Sequence, residues 1–440
     1  MSTTNVSRSG PEEEVVVLEV VEPPVSLRTR VVTGAALVVV GLVCALLLGL
    51  SAAAGRDATF QVAPPGAAIS VPDLSVPARV TAIVLGLVVM TLGVWQIARG
   101  FARRQGKWVI AVTVLCFVLT FLCWASTGAT GTKIDLVGLL QNTIATAVPL
   151  ILGALAGVLC ERSGVINVAI EGQMLAGAWA GALVGTLASN LGIGLLAAML
   201  AGAGMGLLLA VFSIRYLVNQ VILGVVLNVF ALGLTGFIYD ALMQPNQETL
   251  NNPGIFSNIA IPVLSDIPVL GPLLFDANVI VYITYVLIVV VDVALFRTRW
   301  GLRTRAVGEH PKAADTVGIN VLATRYRNVV MGGAVAGIAG AYLTIGAVGA
   351  FSKNISSGKG FIALAAVIFG GWKPRAAIGA ALLFGFTDAL GTLLSFTATP
   401  VSIPANLLAM LPYLATLFAV AGLVGRVRAP AADGEPYVKG

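Results

Sequence analysis

The feature that most constrains this chain is its division into long uninterrupted apolar runs. An α-helix needs about 20 such residues to cross roughly 30 Å of hydrocarbon. Runs near 31–54, 80–97, 108–126, 142–160, 174–189, 193–213, 221–239, 278–296, 329–350, 361–372, 376–396 and 405–425 give about twelve segments. The apolar residues are continuous rather than alternating, which excludes an outer-membrane barrel. Hydrocarbon offers no water to backbone N–H and C=O groups, so the spans must be helices. Only 10% of the 440 residues are charged and 58% are hydrophobic, whereas soluble domains carry about a quarter charged residues. The expected fold class is an all-α polytopic integral membrane protein.

Two segments do not read as simple spans. The run 361–372 is too short to cross and ends in Gly370, Gly371, Lys373 and Pro374, which predicts a re-entrant or broken helix covered by its neighbours. The stretch 161–173 places Glu161, Arg162, Asn167 and Glu171 between two apolar runs, a pattern that survives at membrane depth only against protein or a water-filled cavity. Small residues recur at helix-packing spacing, as in Gly177, Gly181 and Gly185 or Gly333 and Gly337. They are expected to serve packing within the chain rather than dimerisation.

Basic residues give the orientation. With alternating connections, 21 of the 26 Lys and Arg fall on one side, so both termini are expected to be cytoplasmic. The net charge of +6 is thus read as topology, and nucleic acid is not an expected partner. The connection 240–277 carries Asp240, Glu248, Asp266 and Asp276 with no Lys or Arg, which suits an extracytoplasmic docking surface. Residues 1–30 contain the acidic run Glu12–Glu14 where a secretion signal would be basic, and read as a disordered cytoplasmic tail ending at Arg28 and Arg30. The expected organisation is this tail, additional transmembrane segments over 31–141, a core over 142–425 and a second cytoplasmic tail over 426–440.

Enzymatic chemistry finds little support. Cys44, Cys116, Cys123 and Cys160 sit in apolar runs without metal-ligand spacing, and His310 is the only histidine, so no metal site is expected. No GxxxxGK[ST] occurs, so nucleotide chemistry must come from another subunit.

Two constellations stand out. In the basic stretch 297–327, Pro311 suits a first helical position, Ala313, Ala314 and Val317 follow on one face, and Gly318 supplies a stop. This predicts a short amphipathic helix against the cytoplasmic membrane face, either a topology-setting loop or a knob for a cytoplasmic partner. The second set is polar: Asn167, Glu171, Asn228, Asp292 and Asp388 lie at apparent membrane depth, where such groups mark a pathway or brace a broken helix. Asp292 and Asp388 lie near enough to helix ends to reach headgroups or a polar neighbour. Asn167 and Glu171, four apart, would share a helix face able to contact hydroxyls or base edges, and Trp179 could stack on a base.

The run GEHPKAADTVGINV with the following RYRNVVMGGAVAGIAGAYL resembles the coupling loop and next helix of permeases of ATP-binding cassette (ABC) importers in the branched-chain amino acid, ribose and nucleoside group. ERSGVINVAIEGQMLAGAWAG and GKGFIALAAVIFGGWKPRAAIGAALLFG resemble two further motifs of that group, in its order. The Asn-Val-Ala run at 167–169 and the FGGWKP run look most like the nucleoside branch. The resemblance implies a transport subunit, not an enzyme, in a bacterial plasma membrane, paired with a second permease around a translocation path. It implies a loop helix with Gly308, Glu309, Pro311, Ala313, Ala314, Gly318 and Ile319 seated in an ABC ATPase subunit, which would bind ATP and Mg²⁺, no cofactor being held by this chain. It also implies supply by an extracytoplasmic substrate-binding lipoprotein and a path including Asn167, Glu171, Trp179 and Asn228. Permeases for simple sugars or branched-chain amino acids are the near alternatives, and an ion-coupled secondary transporter the more distant one.

Overall fold

The computed structural model describes residues 26–62, 72–418 and 428–439. Most of the expected amino-terminal tail therefore lies outside the described residues. The chain forms two compact units: residues up to Gln61 with Asp73–Ile134 and Phe396–Ile403, and Val62–Pro72 with Asp135–Ser395 and Pro404–Gly440.

The first unit holds α1 (Leu27–Leu42, continuing as a π-helix over Val43–Gly49), α2 (Ala78–Ala98) and α3 (Arg103–Ala125). Arg28 and Arg30 lie in the opening turns of α1, and the Arg30 guanidinium donates to the carbonyls of Ile97 (3.1 Å) and Ala98 (2.6 Å), capping the end of α2. Glycines let α1 and α2 touch: a Cβ on Gly41 would stand 2.8 Å from the Gly86 carbonyl, and one on Gly93 2.9 Å from that of Gly34. Between these helices β1 (Asp57–Gln61) and β2 (Leu74–Pro77) pair antiparallel, Asp57 opposite Pro77, and a three-residue β3 (Lys133–Asp135) follows α3.

The second unit runs α4 (Leu136–Glu161), α5 (Ile170–Leu187), α6 (Leu191–Ala210, π-helical on to Arg215), α7 (Gln220–Ile238, π-helical on to Met243) and the short α8 (Gln247–Leu250). After it, β4 (Asn258–Ala260) and β5 (Asp276–Asn278) form a small hairpin enclosing α9 (Leu270–Leu274). Then follow α10 (Val279–Arg297), α11 (Arg299–Glu309), α12 (Pro311–Thr316), α13 (Val321–Ala341, π-helical on to Val348), α14 (Lys359–Phe369), α15 (Pro374–Phe396), α16 (Ala405–Ala409) and α17 (Leu411–Phe418). Asparagines start four of these helices: Asn190, Asn219, Asn278 and Asn320 accept from the first free N–H groups of α6, α7, α10 and α13.

The axis of this unit is α4 and α13, whose apolar windows are 83% buried, against 28% for α10. Close packing explains it. Gly337 of α13 faces Gly177 of α5, and Gly333 faces Gly202 of α6, each so near that a Cβ would strike the partner backbone. The glycine spacing thus serves contacts within the chain, as expected.

Among the described residues nine helices are long and apolar enough to cross a membrane. The expected segment 174–189 is the 18-residue α5, and 361–372 is the 11-residue α14, about 16 Å long and so roughly half a crossing. The segment 405–425 begins as α16 and α17 and then leaves the described residues.

Candidate functional site

The polar stretch between α4 and α5 is a break in the helix path. After Glu161 the chain turns at Gly164 (φ +85°) and becomes helical again only at Ile170. Glu171, in the first turn of α5, faces the start of α14. Its carboxylate accepts from the Ser356 hydroxyl (2.5 Å) and from the N–H groups of Gly358 (2.8 Å) and Gly360 (2.6 Å). These are donors that a helix N-terminus leaves without partners, and the negative charge suits the positive end of its dipole. Gly360 is required there, because any Cβ would strike the backbone of Glu171.

Asn228 of α7 completes the brace, accepting from Gly172 N–H (2.8 Å) and donating to the Val168 carbonyl (2.9 Å). The expectation that Asn167 and Glu171 share a helix face is corrected: Asn167 precedes α5 and pairs instead with Gln173 (3.0 Å). Asn167, Glu171, Gln173 and Asn228 are all buried. Asp292 is ion-paired with Arg375 at 2.8 Å. Trp179 is half-buried beside Ala178, Ala182, Met243 and Phe351, and its indole N–H has no hydrogen-bond partner among the described residues. A separate cavity of about 250 Å³, which the sequence did not reveal, is lined by Gln141, Asn142, Asn258, Asp276, Asn278 and Tyr342. It is built from α4, α13 and the β4–β5 hairpin, and only the fold brings them together.

The other end of the break meets the loop helix. His310 leaves the helical region (φ −143°), Pro311 opens α12, and Gly318 (φ +83°) ends the turn beyond it. Gly308 is buried against the Arg162 carbonyl, where a Cβ would not fit. Glu309 reaches Arg162 at 4.0 Å and accepts from the Ala431 N–H at 3.2 Å. Arg162 in turn donates through Nε to the Trp372 carbonyl (2.8 Å), and the Trp372 indole N–H donates to Glu161. The ends of α4, α11 and α14 therefore converge on one arginine.

The face expected to carry Ala313, Ala314 and Val317 together is divided. Ala314 is 3% exposed, packed on Val307, Val321 and Tyr437, whereas Val317 is 74% exposed. The reason is the shortness of α12: it stops at Thr316, so Val317 leaves the helical path before the next inward position. Pro311 and Ile319 are half-buried, and Lys312, Ala313, Thr316, Val317 and Gly318 form the exposed side. A cleft of about 740 Å³ opens beside it, lined by residues including Trp300, Arg303, Val317, Asn320 and Arg327.

The comparisons with known proteins fall on this architecture. The family described as branched-chain amino acid transport system / permease component matches residues 139–421. The guanosine ABC transporter permease protein NupQ of Bacillus subtilis is 42% identical over 308 residues, covering 68% of this chain and 95% of that protein. The nucleoside ABC transporter permease protein NupC of Lactococcus lactis is 36% identical, covering 68% of this chain and 96% of its own. The putative glucose ABC transporter permease protein TsgC13 of Haloferax volcanii is 35% identical over 58% of this chain and 76% of its own. No solved structure matches. The matched stretch begins in the first turn of α4 and contains the helix break, the half-length α14 and the loop helix, and on that ground the chain belongs to the permease-component family of the branched-chain amino acid transport systems, as a multi-pass membrane transport subunit.

Proposed function

We propose that the chain is the permease subunit of an ABC importer for nucleosides in a bacterial plasma membrane, with both termini cytoplasmic and α14 re-entering as a half-length helix. The observation that carries this is the 42% identity to a guanosine permease across 95% of that protein's length. The exposed side of α12 supports it, since a helix whose inner face is anchored and whose outer face is bare suits insertion into an ATPase subunit that supplies ATP and Mg²⁺. A second permease would close the path, and a substrate-binding lipoprotein would dock on the 240–277 region. Asn167, Glu171 and Asn228 shape the path by holding α5 and α14, while Trp179 and the cavity carrying Asn142 and Asp276 offer groups for a nucleobase and ribose.

The test is uptake of labelled guanosine into right-side-out vesicles that hold the assembled transporter and enclose ATP. Import is expected to require hydrolysable ATP and to survive a proton ionophore. Import driven by an ion gradient without ATP would replace this reading with a secondary transporter. The 35% identity to a putative glucose permease favours sugars as the second reading, and glucose competing as well as guanosine would select it.

A further inference from the structure

The carboxyl-terminal residues 428–439 return to the loop helix and touch four separate parts of the second unit. Ala432 donates its N–H to the Gly308 carbonyl at the end of α11 (2.9 Å), and Ala431 donates to Glu309 (3.2 Å). Gly434, in the left-handed region at φ +80°, lies so close to Ile166 in the α4–α5 break that a Cβ would stand 2.7 Å from its Cδ1. Arg325 of α13, 1% exposed, donates to the carbonyls of Glu435 (2.8 Å) and Ala432 (3.5 Å). Tyr437 packs on Val307, Ala314 and Val321, and its hydroxyl lies beside the Asp315 carboxylate of α12.

A merely trailing segment would not exclude water from an arginine or supply the inner wall of α12. Without Tyr437, Ala314 would have lost part of the surface that keeps it at 3% exposure. The tail also spans from α12 to the 162–169 stretch, which are otherwise joined only through Gly308 and Glu309 against Arg162 among the contacts described above.

We propose that residues 428–439 are a working member of the coupling unit: Arg325 and Tyr437 are positioning residues that clamp the tail between α12 and the α4–α5 break, so that a displacement of α12 is passed to the broken span. This rests on the reading of α12 as the ATPase contact.

The test uses the transporter assembled with its ATPase and second permease, and reads ATP hydrolysed per guanosine imported. Truncation after Arg428, and Tyr437→Ala, are expected to leave ATP hydrolysis in place but to raise ATP consumed per guanosine about tenfold, a coupling loss within the usual range. A synthetic peptide of residues 429–440 is expected to restore the ratio in the truncated form, and Tyr437→Phe, which keeps the ring but loses the hydroxyl beside Asp315, to shift it about twofold. An unchanged ratio in truncated protein inserted at normal abundance would overturn the proposal. So would a truncation that lowers abundance while the surviving transporter keeps its ratio and ignores the peptide. ATP-independent import by the full-length chain would remove instead the coupling reading beneath it.

Discussion

The two polar clusters at either end of the α4–α5 break differ in how fully they are satisfied. At the start of α5, Glu171 accepts three hydrogen bonds, Asn228 makes two, and Asn167 and Gln173 bond each other. Around the tail, by contrast, Glu161 Oε1, Arg325 Nε and Asp433 Oδ1 are buried without a hydrogen-bond partner among the described residues. A saturated cluster resists motion because sliding α14 from α5 breaks several bonds to one carboxylate together, in a setting where unpaired groups are costly. Around the tail the bonds are spread over Arg325, Gly308 and Glu309, so they can part singly. The first is a brace and the second a looser clamp.

The largest effect should come from breaking the brace. Glu171→Ala strands the Ser356 hydroxyl and two glycine N–H groups, and is expected to cost about 3–5 kcal/mol, seen as loss of folded transporter in a thermal-shift measurement and in membrane abundance. A tolerated substitution would show that α14 does not depend on this carboxylate.

The clamp should yield more gently to crowding. Ala314→Trp forces a large ring into the contact with Val307, Val321 and Tyr437, with an expected cost of about 1–3 kcal/mol and increased proteolysis of the tail. Retained tail protection would place Ala314 outside the clamp.

A subtler effect is expected from pH. Burial foremost, and then the charge of Glu161, raise the Asp433 carboxyl from 3.8 to about 8, with Arg325 opposing. The docked tail thus holds this proton more tightly than a free tail, so docking is strongest below the free value and weakens as pH rises through the window from about 4 to about 8. Hydrogen exchange of residues 430–438 between pH 6 and 9 should rise accordingly, and Asp433→Asn should flatten the profile. Equal pH dependence in that variant would assign it to Glu161 or to another group at the clamp.

The smallest effect on stability belongs to the exposed side of α12. Val317→Ser should change thermal stability by less than about 0.5 kcal/mol while weakening co-purification of the ATPase. Unchanged co-purification would move the contact off this side.

Much of this architecture is written locally. Apolar run length gives the spans, Pro311 and Gly318 bound the loop helix, and the glycine spacing on α5 and α13 foretells their approach. Bracing by the polar residues is legible only as one of two readings, because Glu171 finds its partners 185 to 189 residues away and spacing along one helix carries no trace of them. The tail was equally silent: its residues have no periodicity, and their order comes from an arginine more than a hundred positions earlier. The division of α12 into inner and outer sides failed locally too, since a six-residue helix is too short for its face pattern to persist past Thr316.

The inward placement of Ala314 limits how much identity the loop helix can display. With that position and half of Pro311 turned to the chain's own interior, the fully exposed positions within Pro311–Ile319 are Lys312, Ala313, Thr316, Val317 and Gly318. So short an address carries little information. On the proposed reading of α12 as the ATPase contact, permeases that agree at these few positions are expected to accept the same ATPase.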